Sequence, residues 1–72
     1  MTIKKIRIKD NEEYIRLDQF LKLSGCVETG GHAKISIQNG EVKVNGEVCT
    51  MRGKKLRRKD AAEFNGEIFE VC

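Results

Sequence analysis

Positively charged side chains are concentrated in one short stretch of this sequence, where they could bind a polyanion. Residues 52–59 contain six lysines and arginines and no acid, whereas residues 60–72 contain four acids and no base. The formal net charge of the 72 residues is only +3, so the separation of charge says more than its total. An acidic partner protein or a purely solubilising face also fits this charge, but several phosphates could be contacted at once. We name residues 52–59 the basic run and expect its contacts to be Arg52, Lys54, Lys55, Arg57, Arg58 and Lys59.

A second anion site is predicted at Gly30 and Gly31, where a helix is expected to begin. Glycines leave the first backbone N–H groups of a helix open to a phosphate, and the helix dipole favours an anion there. His32 and Lys34 follow within one turn and could contact the same ligand. The alternative explanation is steric, because two helices could cross closely at these glycines.

Other kinds of site receive little support from the sequence. Cys26 and His32 lack a third group that would orient them as a nucleophilic pair. The spacing of Cys26, His32, Cys49 and Cys72 does not resemble the close cysteine pairs of structural zinc sites. No nucleotide-binding glycine motif or convincing carboxylate pair is present, and a short chain has little room for a ligand cavity. We therefore expect no enzyme activity, no catalytic residue, no metal, no cofactor and no small-molecule substrate.

Composition favours a single domain over residues 1–72. The sequence is 39% hydrophobic and contains no proline, and it shows no repeat or low-complexity tract. No secretory signal or membrane-spanning apolar run is evident, and three widely spaced cysteines argue against a disulfide framework. These features predict a cytoplasmic monomer with no membrane contact.

The elements that must position the cations can be read from periodicity. Ile6 and Ile8 alternate with basic residues, which predicts a strand over residues 2–8, and a polar loop follows. Helical spacing over residues 16–24 places Leu17, Phe20 and Leu21 on one stripe, and Gly25 is a fitting stop.

A second helix is predicted from the Thr29 N-cap to Asn39-Gly40, with Ala33 and Ile37 as its apolar pair. The period then changes to two, and Asn45-Gly46 and Asn65-Gly66 each predict a tight hairpin. We expect strands at residues 42–44, 47–50, 54–57, 61–64 and 67–71, with Leu56, Phe64 and Ile68 facing the core. The order predicts an α+β fold in which a helical hairpin packs on a small antiparallel sheet.

Two motifs resemble a known family. Arg16-Leu17-Asp18-Gln19-Phe20-Leu21 and Gly40-Glu41-Val42-Lys43-Val44-Asn45-Gly46, with the Ala33-Lys34 helix between them, resemble the RNA-binding domain named after the small-subunit ribosomal protein S4. The resemblance covers residues 14–70 and is strongest to small stand-alone bacterial proteins of the YaaA and YbcJ type. It implies the alpha-L arrangement, in which two helices and an adjoining hairpin loop cradle structured RNA.

The resemblance implies RNA contacts by His32 and Lys34 on the second helix, by Lys43 and Asn45 near the hairpin, and by the basic run. Arg16 adds charge on the first helix. The sequence departs from the family in having Gly30-Gly31-His32 where many members have an arginine, so that backbone amides are expected to replace it. It also has Lys59-Asp60 where many members have Gly-Asp.

We therefore predict that the protein binds structured RNA, either ribosomal RNA during ribosome assembly or a tRNA-like fold. Most aromatic residues look core-bound, which disfavours the reading of single strands by base stacking. Two alternatives remain open. One is a DNA-binding helix-turn-helix, although its recognition helix would begin with two glycines instead of base-reading side chains. The other is an adaptor that docks an acidic protein on the basic run.

Overall fold

The computed structural model describes residues 3–72, and within them it contains both helices and a mixed β-sheet. This confirms the α+β prediction. The elements in chain order are β1 (Ile3–Ile6), β2 (Ile15–Arg16), α1 (Leu17–Leu23), α2 (Gly30–Gln38), β3 (Val42–Val44), β4 (Glu47–Val48), β5 (Lys55–Leu56), β6 (Ala61–Phe64) and β7 (Glu67–Val71). The strand predicted at residues 2–8 is thus shorter, and Thr2 lies outside the described residues.

The main sheet has the strand order β1-β7-β6-β3-β4, and its β1 edge differs from the prediction. β1 pairs with β7 in parallel, so the expectation of a purely antiparallel sheet is wrong at that edge. Parallel neighbours cannot be joined by a tight turn, and here the rest of the domain forms the crossover between the first and last strands. The strand predicted at residues 54–57 is reduced to β5, which pairs outside this sheet with β2.

Local signals at the ends of the helices behave as the sequence predicts. α1 is followed by Gly25 at a φ of 82°, a left-handed conformation that glycine adopts without strain. The Thr29 side chain accepts a hydrogen bond of 3.1 Å from the His32 N–H and so caps α2. α2 ends before Gly40, whose φ is 76°.

Both Asn-Gly pairs form tight turns with positive φ at the two central positions. The angles are 51° and 87° at Asn45-Gly46, and 53° and 76° at Asn65-Gly66. This geometry matches the right-handed twist of the flanking strands and confirms both predicted hairpins.

One cluster of buried side chains joins the helices to the sheet and to β5. Leu17, Phe20 and Leu21 of α1 are fully buried in it, as is Leu56 of β5. Phe64 is buried as predicted.

The prediction that Ile68 faces the core is wrong. The two-residue turn at Asn65-Gly66 sets Ile68 opposite Glu63, on the outer face of the sheet. Ile68 is therefore only half-buried, whereas Phe69 and Val71 point inward. Because side chains alternate along a strand, Phe64 and Ile68 cannot both face inward in this register.

Candidate nucleic-acid interface

The basic run is fixed to the start of α1 by backbone hydrogen bonds. The Leu17 N–H donates to the Lys54 carbonyl at 2.8 Å, and the Asp18 N–H donates to the Arg52 carbonyl at 3.1 Å. These amides belong to the first turn of α1, where no partner exists within the helix. The basic run therefore supplies acceptors for the first amides of α1, and these hydrogen bonds in turn hold the basic run in one place.

Pairing of β2 with β5 brings further cations together. Arg16 lies opposite Lys55, and Ile15 lies opposite Leu56. Ile15 and Leu56 are buried, so alternation directs Arg16 and Lys55 outward. The six basic side chains of the basic run belong to exposed residues, and within residues 3–72 none of them forms an ion pair. No acidic side chain of the described residues therefore competes with a ligand for these cations.

Asp18 explains the spacing of the Arg16-Leu17-Asp18 motif. The Arg16 guanidinium contacts one Asp18 carboxylate oxygen at 2.9 Å, while the Gln19 N–H donates to the other oxygen at 2.8 Å. Leu17, between the two charged residues, is fully buried. The motif thus anchors the helix through Leu17 and orients Arg16 beside the basic run. The ion pair with Asp18 neutralises part of the positive charge of Arg16.

Tyr14 lies at the same surface, although sequence reasoning did not place it in the site. The Lys55 ammonium lies 4.9 Å from the centroid of its ring, in a cation–π contact. The signal that could have identified it is the alternation of Tyr14, Ile15 and Arg16, in which the apolar middle residue points inward.

Asn45 is joined to the end of the basic run by its side chain. Its amide nitrogen donates to the Asp60 carboxylate at 3.1 Å, and its amide oxygen accepts from the Ala61 N–H at 3.0 Å. The other carboxylate oxygen of Asp60 accepts from the Arg57 N–H at 2.8 Å. Asn45 thus fixes the turn that ends the basic run, and its amide is already engaged within the protein.

Arg58 is also engaged within the protein. Its guanidinium donates to the carbonyl oxygens of Glu12 at 2.9 Å and Lys9 at 3.0 Å. Lys59 follows with a φ of 81°, and its N–H donates to the Val71 carbonyl at 2.8 Å. The Arg58 side chain therefore reaches the loop between β1 and β2, whereas the Lys59 backbone is joined to β7.

The glycines at the start of α2 have open space around them. A β-carbon at Gly30 would meet no atom within 4 Å, and one at Gly31 would only approach the Thr29 hydroxyl at 4.0 Å. Close crossing of the helices therefore does not account for these glycines. His32 and Lys34 are exposed on α2, which packs against α1. Within residues 3–72, no hydrogen bond or ion pair joins α2 to the basic run.

Lys43 lies apart from these groups. Val42 and Val44 on either side of it are buried, so Lys43 points to the outer face of the main sheet. Its neighbour there is Glu63, its partner across β3 and β6. The acid reduces the positive potential around Lys43.

The same residues offer little to a metal ion or a membrane. Within residues 3–72, no group of three or more histidine, cysteine or acidic side chains could hold a metal ion. Neither described helix has the length and apolar character needed to cross a membrane. Burial raises the pKa of the Cys26 thiol, and nearby Glu67 acts in the same direction, while a hydrogen bond from Ser24 and the charge of Lys4 oppose the shift.

Comparisons with a family model and with individual proteins both find relatives of this chain. A model of the S4 domain family matches residues 6–72. The "Probable ribosome maturation protein RlbA" of Bacillus subtilis (strain 168) is 42% identical over 59 residues, which cover 82% of this chain and 83% of that protein. The "Putative RNA-binding protein YbcJ" of Escherichia coli (strain K12) is 38% identical over 58 residues, or 81% and 83% of the two chains.

A solved structure shares the fold. The crystal structure of the 30S ribosomal protein S4e from Thermoplasma acidophilum superposes with a TM-score of 0.60 at 28% identity. The match covers 86% of this chain and 32% of the ribosomal protein, so it involves about a third of that larger protein.

Proposed function

This chain belongs to the S4-domain family, and from that membership we propose that it binds structured RNA, specifically ribosomal RNA during ribosome assembly. The names of its relatives, "Probable ribosome maturation protein RlbA" and "Putative RNA-binding protein YbcJ", support both parts of the proposal. No catalytic step is included in it. The protein acts by holding an RNA fold through contacts with its phosphates.

One observation carries the proposal: the basic run is bonded to the start of α1 through the carbonyls of Arg52 and Lys54. A flexible basic segment must lose conformational entropy when it binds, whereas a segment held by a helix and a short strand pair has lost much of it on folding. Since its cations form no ion pairs within the described residues, no salt bridge has to be broken to receive a phosphate.

The proposed contact surface consists of cations of the basic run together with Arg16, the strand partner of Lys55. It is centred on Arg16, Arg52, Lys54, Lys55 and Arg57. Each phosphate neutralised adds roughly 0.7 to 0.9 to the slope of log affinity against log salt. Arg58 and Lys59 extend the positive potential, but the side chain of Arg58 is engaged by carbonyl groups.

The start of α2 is proposed as a second phosphate contact. Thr29 satisfies the N–H of His32, and a β-carbon at Gly30 or Gly31 would meet no atom closer than 4.0 Å, which leaves room for a phosphate at this end of the helix. His32 and Lys34 would then contact the phosphates beside this site. Lys43 and Asn45 are left outside the proposed surface, because Lys43 faces Glu63 and the amide of Asn45 is engaged.

The burial of most aromatic residues bears on whether the bound RNA is single-stranded or folded. Phe20, Phe64 and Phe69 are buried, which leaves few rings on which a single strand could stack. Recognition by shape and phosphate, as in a folded ribosomal or tRNA-like RNA, fits this surface better. The proposal further takes the protein to be a cytoplasmic monomer, in keeping with three free cysteines.

The test is binding to a structured ribosomal RNA fragment, measured across a salt series of about 50 to 200 mM. Lys54→Glu, Lys55→Glu and Arg57→Glu are compared with Lys5→Glu. Lys5 is an exposed residue of β1, at the opposite edge of the main sheet from β4, and its substitution changes the net charge equally. We expect each of the first three variants to weaken binding and to lower the salt slope by about 1 or more, with little effect of Lys5→Glu.

Equal losses of affinity in all four variants would mean that the basic run contributes only through the net charge of the protein. Full affinity in every variant would remove the surface from the mechanism. Equal affinity for a DNA duplex of the same sequence would contradict specificity for RNA. Recovery of a defined protein partner that survives nuclease treatment, without RNA binding, would favour an adaptor instead.

A further inference from the structure

Among the phenylalanine and tyrosine rings of residues 3–72, only that of Tyr14 is exposed. It is 40% exposed, whereas Phe20, Phe64 and Phe69 are exposed by 0%, 5% and 3%. The core therefore uses the phenylalanines and not the tyrosine. An exposed ring on a surface proposed to bind RNA can contact the ligand, because its face can receive a nucleobase.

The position of Tyr14 is set by the strand that follows it. Ile15 is buried, so alternation places Tyr14 and Arg16 on the outward side. Arg16 is the strand partner of Lys55, whose ammonium lies 4.9 Å from the centre of the Tyr14 ring. The ring thus contacts Lys55 across the strand pair, and Arg16, the strand partner of Lys55, follows it two residues along the chain.

We propose that Tyr14 stacks on an unpaired base of the RNA while Arg16 and Lys55 bind the phosphates next to that base. The inference rests on the proposed RNA-binding function and narrows its ligand to RNA in which an unpaired nucleotide adjoins a duplex. Bases inside an RNA helix are already stacked on one another, so a side chain can stack only on a base that is looped out or terminal. The cations bind the adjoining duplex, and the ring binds the unpaired base.

Charge also determines the direction in which the RNA strand leaves the ring. Glu12 and Glu13 precede Tyr14 along the chain and repel phosphate, whereas Arg16 and Lys55 attract it. The strand therefore leaves past Arg16 and Lys55. The contact between Lys55 and the ring holds the tyrosine in place before RNA arrives, which reduces the entropy lost on binding.

Two RNA hairpins that differ by one nucleotide test this inference. One has a fully paired stem, and the other has a single unpaired nucleotide in the same stem. Tyr14→Ala should bind the second RNA about 5- to 150-fold more weakly than the parent does, the range expected for one lost stacking contact, with little change for the paired stem. Tyr14→Phe keeps the ring and should retain the preference. If Tyr14→Ala fails to fold, Tyr14→Leu replaces it, since leucine fills much of the volume without a π-face.

Tyrosine fluorescence supplies an independent measurement on the unmodified protein. The sequence contains one tyrosine and no tryptophan, so the emission reports Tyr14 alone. We expect strong quenching by the RNA with the unpaired nucleotide and weaker quenching by the paired stem.

The outcomes separate this inference from the proposed function. Equal loss of affinity for both RNAs in Tyr14→Ala would assign the tyrosine to positioning Lys55 and would overturn the stacking. Unchanged affinity in Tyr14→Ala, with Lys54→Glu still impaired, would overturn it as well and leave the proposed function standing. A parent protein that binds neither RNA would overturn both.

Discussion

Replacement of Asn45 by alanine should destabilise the protein far more than the same replacement of Asn65. Both asparagines occupy the first central position of a two-residue hairpin turn, with φ of 51° at Asn45 and 53° at Asn65. Each substitution therefore places alanine in a left-handed conformation that asparagine tolerates better, at a cost of about 1 kcal/mol. The two positions share this backbone cost and differ in what their side chains contact.

The difference in magnitude follows from two hydrogen bonds. Asn45 donates to Asp60 and accepts from Ala61, whereas within residues 3–72 no side-chain hydrogen bond is made by Asn65. A typical hydrogen bond contributes about 0.5–1.5 kcal/mol, and one to a charged carboxylate contributes somewhat more. Both bonds lie at the surface, which keeps their combined contribution near 2 kcal/mol. For a domain of this length, that difference corresponds to a Tm separation of about 8–16 °C.

Thermal and urea unfolding followed by circular dichroism would measure the effect, with Asn65→Ala as the matched control. Equal destabilisation of the two variants would refute the assignment of a structural role to Asn45. RNA affinity should be measured at a temperature where both variants are folded. A selective loss of RNA affinity in Asn45→Ala, without a loss of stability, would instead support a direct contact between Asn45 and the RNA.

Three further predictions concern other parts of the fold. Arg58→Ala should lower the free energy of unfolding by about 1 kcal/mol because two carbonyls lose their donor, whereas the neighbouring Arg57→Ala should leave unfolding by urea unchanged. Alanine at both positions of the Gly30–Gly31 pair should raise the thermal midpoint, since alanine favours helix and meets no obstruction. The same double variant should bind RNA about tenfold more weakly if phosphate contacts the exposed amides, and unchanged affinity would exclude that contact. Burial raises the pKa of the Cys26 thiol above its ordinary value of 9.0. The contribution of the protonated thiol to the free energy of unfolding is therefore fully present below pH 9.0 and is lost as the pH rises through the pKa of the folded state. Alkylation across an alkaline series should accordingly modify Cys72 before Cys26, and faster reaction of Cys26 would contradict the shift.

Local signals predicted the elements well because their causes are local. Thr29 caps α2 through the amide three residues ahead, and both Asn-Gly pairs require only the conformations of their own two residues. The error at Ile68 arose from treating strand positions one by one. A two-residue turn at Asn65-Gly66 already fixes the register, and that register excludes Ile68 from the face that contains Phe64.

The site was predictable in its charge and not in its geometry. Counting cations identifies the basic run, but it assigns the same role to Arg57 and Arg58, which follow one another and differ completely in their partners. The family resemblance implied Asn45 as an RNA contact, and nothing local along the chain shows that Asp60 will lie beside it. The exposed ring of Tyr14 was missed although the alternation around the buried Ile15 indicates it; its contact with Lys55 depends on the pairing of β2 with β5.

The sequence by itself determined the segments that are helical or extended, the two hairpin turns, and the concentration of charge in residues 52–59. These properties depend on neighbours along the chain. Only the tertiary structure decided the parallel pairing of β1 with β7, the docking of the basic run on α1, and which of its cations remain available to a ligand. The partners in those contacts lie tens of residues apart, and folding of the whole core brings them together.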